Sequence, residues 1–194
     1  MERNDNSDRF FTSKENSIIT QLFYSQIINI YYCSYNYISY SFQKIMDIPL
    51  LLPDKNEIGI YKLFKDYFKE EYVYFNIKCL NCNKITTHKK EVKISKSPNI
   101  LIITLKRIKF FLNNKNNIFV NFPEKLDINN FIDHEYNNNK PIYELYAIIN
   151  HQGNLEFGHY YAYIKLECNK WYEFVDTLIN EINNLDLSNI FYFI

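Results

Sequence analysis

The chain has 194 residues, with 22 Lys and Arg against 22 Asp and Glu, 4 cysteines and only 3 glycines. The length suits one domain with a real core. The cancelling charge leaves no positive field for nucleic acid or an anionic membrane, and the apolar runs are far too short to cross a bilayer. Four cysteines at irregular spacing in so long a chain are too few for a secreted disulfide framework, so they read as reduced thiols or metal ligands.

The polar opening MERNDNSDRF has no signal-like apolar stretch, and a soluble protein of the cytoplasm and/or nucleus is expected. Residues 1–17 read as a loose lead-in and 18–194 as the ordered part. Apolar and aromatic residues dominate from Ile18 to Cys33, and Ile60, Leu63, Phe64, Tyr67 and Phe68 recur at helical spacing, which predicts a short amphipathic helix. Tyr72–Lys78 and Thr86–Ile94 alternate around CLNCNK, a hairpin with the Cys79/Cys82 pair at its tip. Ile100–Phe111 reads as one long strand, Asn113–Asn117 as a turn, and Tyr136–Pro141 as an Asn-rich surface loop. Further strands follow at Ile118–Phe122, Leu145–Asn150, Tyr160–Leu166, Trp171–Val175 and Ile190–Ile194. Many strands and few helices make the fold class α+β, strand-rich.

The segment most suggestive of chemistry is YELYAIINHQGNLEFGHYYAYIKLECNKWYEFVDTLINEI. Gly158 permits a close backbone approach just before His159, which places an imidazole where a loop meets a strand, as a general base often sits. Asp176, on the next strand, could accept from that imidazole and fix its tautomer. A lone histidine near a strand is more often a packed or surface residue, and the residues alone leave both readings open.

The order H-x-G, variable loop, G-H-Y, strand, W-Y-x-F and acid resembles the histidine box of the ubiquitin-specific proteases. SPNILIITLKRIKF resembles that family's proline-strand-LKRF segment, and VNFPEKLDINNFI its fP-x-x-L-D-L segment. The resemblance covers residues 18–182 in order. It implies a papain-like ubiquitin-specific protease fold, with fingers and a connecting helix over about 18–96 and the palm over about 97–194. It also implies a thiol-dependent deubiquitinase that hydrolyses isopeptide bonds at the ubiquitin C-terminus. His159 would be the general base, Gly158 and Tyr160 would line the channel for ubiquitin's Gly-Gly tail, 152–157 would be the loop that opens for it, and His151 would flank that loop. Ubiquitin or ubiquitinated proteins are the implied partners, with no nucleic acid and no membrane.

Three departures from the pattern stand out. Where the family places the Asp or Asn that orients the histidine, this chain has Val175, and Asp176 one residue on should point to the opposite strand face unless a bulge or strand end turns it inward. The family's zinc ribbon uses two C-x-x-C pairs. Here Cys79 and Cys82 supply one, while the other falls at Cys33 and Asn36. The expectation is no cofactor and fingers that keep their strands after losing zinc, with a Cys3His site completed by His88 as the alternative. Lastly, no G-N-T-C-Y-like nucleophile box occurs, and Cys33 and Cys168 do not resemble it, so the resemblance implies that the cysteine-bearing thumb is missing from this chain. A catalytically dead ubiquitin-binding or scaffold protein is the alternative function.

Overall fold

The computed structural model describes residues 17–79, 82–109, 114–154, 156–166, 169–183 and 185. The lead-in up to residue 16, Cys168 and the expected strand at 190–194 lie outside the described residues. In chain order the elements are α1 (Ile18–Phe23), β1 (Ser25–Cys33), β2 (Ile38–Ile45), β3 (Ile48–Leu51), β4 (Glu57–Gly59), α2 (Ile60–Tyr67), β5 (Glu71–Lys78) and β6 (Ile85–Lys96). Then come β7 (Ile103–Lys106), β8 (Ile108–Lys109), β9 (Asn114–Lys115), β10 (Phe119–Asn121), β11 (Lys125–Asp127) and β12 (Ile142–Glu144). The last four are β13 (Ala147–Gly153), β14 (Gly158–Lys165), β15 (Trp171–Val175) and β16 (Leu178–Ile182). The chain is strand-rich α+β, as its alternating patterns imply. It forms two compact units, each gathering three stretches of chain: 1–47, 68–102 and 128–141 in the first, and 48–67, 103–127 and 142–194 in the second.

The first unit is built on an antiparallel sheet in the order β2-β1-β6-β5. α1 enters through a reciprocal cap in which the Ser17 hydroxyl accepts from the Thr20 N–H at 3.2 Å and the Thr20 hydroxyl accepts from the Ser17 N–H at 2.9 Å, satisfying donors that a helix start leaves open. In β1 the residues Ser25 to Ile30 are all buried, so both faces of its first half are covered. The β1/β6 pairing sets Cys33 directly opposite His88, a register that local sequence spacing does not reveal.

The second unit holds the sheet β13-β14-β15-β16, all antiparallel, with the parallel pairs β3/β7 and β4/β10 and the antiparallel pairs β8/β9 and β11/β12. α2 buries Ile60, Leu63 and Phe64, the positions its 3.6-residue period puts on one face. Of the single long strand expected over Ile100–Phe111, residues 110–111 lie outside the described ones, and those up to 109 form β7 and β8, separated at Arg107. That guanidinium is buried, and its Nη1 donates to the carbonyls of Asn116 at 3.1 Å and Ile118 at 2.9 Å. A buried cation needs such acceptors, and supplying them ties the end of β7 to the chain around β9.

Candidate functional site

The hairpin β13/β14 pairs Gly153 with Gly158, Gln152 with His159 and His151 with Tyr160. Both glycines are required by contact. A Cβ on Gly153, where φ is +120°, would lie 2.4 Å from the Phe157 carbonyl oxygen. One on Gly158 would lie 2.0 Å from His151 Nε2 and 2.9 Å from the Gln152 carbonyl oxygen. Between the glycines Asn154 makes the turn. Its carboxamide oxygen accepts from the Glu156 and Phe157 N–H groups at 2.9 and 2.7 Å, and its own N–H donates to the Phe157 carbonyl at 2.9 Å. Phe157 and Tyr160 are left exposed.

Register also settles which side chains share a face. Cross-strand partners lie on one side and neighbours along a strand on opposite sides, so His159 shares its face with Gln152 and Tyr161, while His151, Gly158 and Tyr160 share the other. β14 pairs with β15 through Tyr163↔Glu173. The same alternation puts Val175 on the His159 side, where a methyl-bearing side chain offers no acceptor.

Asp176 reaches the imidazole by a different route. β15 and β16 pair as far as Val175↔Leu178, so Asp176 opens a two-residue turn, and its φ is +51°. Positive φ takes it out of strand alternation, and its Oδ2 comes to 3.8 Å from His159 Nε2. That separation suits an ion pair or a bridging water rather than a direct hydrogen bond. Both side chains are solvent-accessible, so the pair adds little to the stability of the fold.

On the opposite face Lys115, from β9, reaches the strand end. Its ammonium donates to the His151 carbonyl at 2.7 Å and the Gly153 carbonyl at 3.1 Å, and lies 2.9 Å from His151 Nδ1. The His151 ring packs on Tyr160 with centroids 4.5 Å apart. Burial, then the Lys115 charge, holds His151 below the usual histidine range, and burial, then Arg107, lowers Lys115. Sequence reasoning missed Lys115; its only signal is that it is the lone charge in the run NNKNN.

A second constellation lies in the first unit. Cys33, Cys79 and His88 are buried, with their ligand atoms all within 4.8 Å of one another, and Cys82 Sγ lies 3.7 Å from Cys33 Sγ. Zinc–sulfur bonds of ~2.3 Å at the tetrahedral angle put two sulfurs ~3.8 Å apart, so the thiol pair already has the spacing of a zinc edge. His88 Nδ1 faces the Thr86 carbonyl at 3.0 Å; a carbonyl can only accept, so Nδ1 carries the proton and Nε2 is left as the donor atom for a metal. The chain bends like a ligand-bearing turn after Cys79, with the Asn83 N–H donating to the Cys79 carbonyl at 2.9 Å and Asn83 at φ +57°. Asn36, at the position of the missing cysteine, also holds positive φ, +60°, a turn role that asparagine tolerates. Cys33, Cys79 and His88 thus offer three ligand atoms suited to zinc, with Cys82 beside Cys33 as the candidate for a fourth. No described cysteine lies on the strands that carry His159.

The family model for ubiquitin carboxyl-terminal hydrolase matches residues 2–190. Ubiquitin carboxyl-terminal hydrolase 8 of Saccharomyces cerevisiae is 31% identical over 150 residues, covering 71% of the chain, and ubiquitin carboxyl-terminal hydrolase 2 of Gallus gallus is 31% identical over 185 residues, covering 91%. The chain spans 31% and 51% of those two relatives' lengths. Among solved structures, the SAGA Ubp8/Sgf11/Sus1/Sgf73 DUB module bound to ubiquitin aldehyde matches with a TM-score of 0.78 and 26% identity, over 92% of this chain and 41% of that one. A Ubp8 module bound to monoubiquitin gives a TM-score of 0.79 at 26% identity, over 94% and 42%.

Proposed function

Because the chain belongs to the ubiquitin carboxyl-terminal hydrolase family, whose model matches it over residues 2–190, we propose that it supplies the histidine-bearing part of a thiol-dependent deubiquitinase. The observation that carries this reading is His159, placed after a glycine-paired hairpin end with the Asp176 carboxylate 3.8 Å from its Nε2. A carboxylate on that side favours the Nε2–H tautomer and leaves Nδ1 as the base.

In the reaction Nδ1 takes the proton of a cysteine thiol, and the thiolate attacks the carbonyl of ubiquitin's last residue. The imidazolium then gives its proton to the departing lysine amine as the thioester forms. A water, deprotonated by the same nitrogen, cleaves the thioester and restores the thiol. The 194 residues contain no segment resembling the family's cysteine box, so the thiol would come from outside them. Gly158 and Tyr160, with His151 beside them, would line the path of the ubiquitin tail. The first unit, with its long antiparallel strands, would serve as the fingers. Cys33, Cys79, Cys82 and His88 would hold a zinc ion there, whose contribution is to cross-link strand ends rather than to take part in the reaction.

With the chain joined to the cysteine-bearing segment that supplies the thiol, turnover of ubiquitin carrying a C-terminal fluorogenic amide, abolished by His159→Ala, is the expected result. Absence of turnover, or turnover that survives His159→Ala, contradicts the proposal.

A further inference from the structure

The residues around His151 form an arrangement that the His159 chemistry does not use. Lys115 belongs to a short strand pair remote in sequence from the β13/β14 hairpin, yet its ammonium meets three acceptors at the hairpin's open end: the carbonyls of His151 and Gly153, and His151 Nδ1. An ammonium has three N–H donors and no acceptor. The ring nitrogen facing it must therefore accept, which fixes the neutral His151 as the Nε2–H tautomer. Nε2 is the atom that a Cβ on Gly158 would strike, so that nitrogen lies beside the residue preceding His159. Among the described residues nothing accepts from it.

We propose that Lys115 is a positioning residue for the substrate tail: it clamps the carbonyls of His151 and Gly153 and holds His151 as a neutral Nε2–H donor beside Gly158. This rests on the deubiquitinase reading and adds a residue to it. The chemistry recognised is a backbone carbonyl of an extended peptide, since a neutral imidazole N–H can donate to such an acceptor without bringing in a charge. Burial first, and then the Lys115 ammonium, hold the ring below the usual histidine range, while burial and Arg107 lower Lys115 in turn. Tyr160 packs against the ring, with centroids 4.5 Å apart. The clamp also shortens the free span of the loop, because Gly153 is held by Lys115 while Asn154 and Phe157 close the turn on themselves. The hairpin end is thereby ordered before any substrate arrives, which lowers the entropy lost on binding.

The test uses the whole chain labelled with 15N-histidine. Long-range proton–nitrogen spectra should show His151 in the Nε2–H form with Nδ1 as a hydrogen-bonded acceptor. Lys115→Met keeps the side-chain stem but should let the tautomers mix and weaken monoubiquitin binding about tenfold, equivalent to ~1.4 kcal/mol. Lys115→Arg, which retains donors for the two carbonyls, should recover most of that affinity. An Nδ1–H tautomer in the native chain overturns the proposal, and so does a Lys115→Met variant with unchanged tautomer and affinity within twofold. Should Lys115→Met fail to fold, the native tautomer alone decides. Should the native chain not bind ubiquitin at all, the deubiquitinase reading fails, while the tautomer still tests Lys115's hold on the ring.

Discussion

Gly158→Ala probes the site most sharply, because the added methyl carbon would sit 2.0 Å from His151 Nε2 and 2.7 Å from its Cε1. A side chain with free rotamers could swing away at small cost. His151 cannot, since Lys115 holds Nδ1 at 2.9 Å and Tyr160 packs against the ring. Displacing it forfeits a charge-assisted hydrogen bond worth about 1.5–3 kcal/mol and an aromatic contact worth about 0.5–1.5 kcal/mol. The Gln152 carbonyl oxygen, 2.9 Å from the new carbon, is backbone and gives less. The expected destabilisation is about 3 kcal/mol, at the upper end of the overpacking range. Urea denaturation of Gly158→Ala should show it, with Gly59→Ala as the control: nothing lies within 4 Å of a Cβ there, and stability should change by less than about 0.5 kcal/mol. Adding His151→Ala to Gly158→Ala should make the methyl itself less costly than it is beside the native ring. A Gly158→Ala protein within about 0.5 kcal/mol of the native one would refute the picture of a pinned ring.

Other expectations follow from the same geometry. Purified chain should carry one zinc per molecule by elemental analysis; His88→Ala should reduce that content and lower the melting temperature, whereas zinc-free native protein would contradict the cluster's fit. Asp176→Gly should raise stability by ~0.5 kcal/mol, because glycine takes positive φ without the Cβ penalty, while lowering turnover; a loss of stability in urea titration would show that the turn is not under this strain. His151 is held below its reference value of 6.5. The unfolded chain therefore binds its proton first, and this contribution to stability is present above about pH 6.5 and lost as pH falls below it. Urea midpoints at pH 7.5 and 5.5 should diverge less in His151→Phe than in the native chain, and an equal divergence would remove His151 from the account.

How far the sequence reveals these features depends on whether they are local or set by pairing. The α2 face, the hairpin around the Cys79/Cys82 turn and the strand Trp171–Val175 follow from periodicity alone. The motif around Gly158 and His159 is equally local, because glycines and a histidine at fixed spacing need no distant partner to be recognised. His88 is different: it lies opposite Cys33 only through the β1/β6 register, which depends on how far the intervening chain travels. Asp176 fails the alternation rule because a turn residue with positive φ is no longer governed by strand geometry, and with only 3 glycines in the chain asparagine and aspartate join Gly153 at such positions. Lys115, like the placing of His88 opposite Cys33, depends on chain pairing that local spacing does not reveal. Arg107 interrupts the expected long strand because a buried guanidinium draws distant carbonyls toward itself.

The most direct measurement is a titration of the 15N-labelled chain with monoubiquitin and with ubiquitin lacking its two C-terminal glycines. Intact ubiquitin should shift the amides of Gly153, Gly158, His159 and Tyr160 at sub-millimolar concentration, and the truncated form should leave them in place. Identical shifts with both ligands, or none with either at about 1 mM, where binding free energy is only about −4 kcal/mol, would contradict a tail-binding site beside His159.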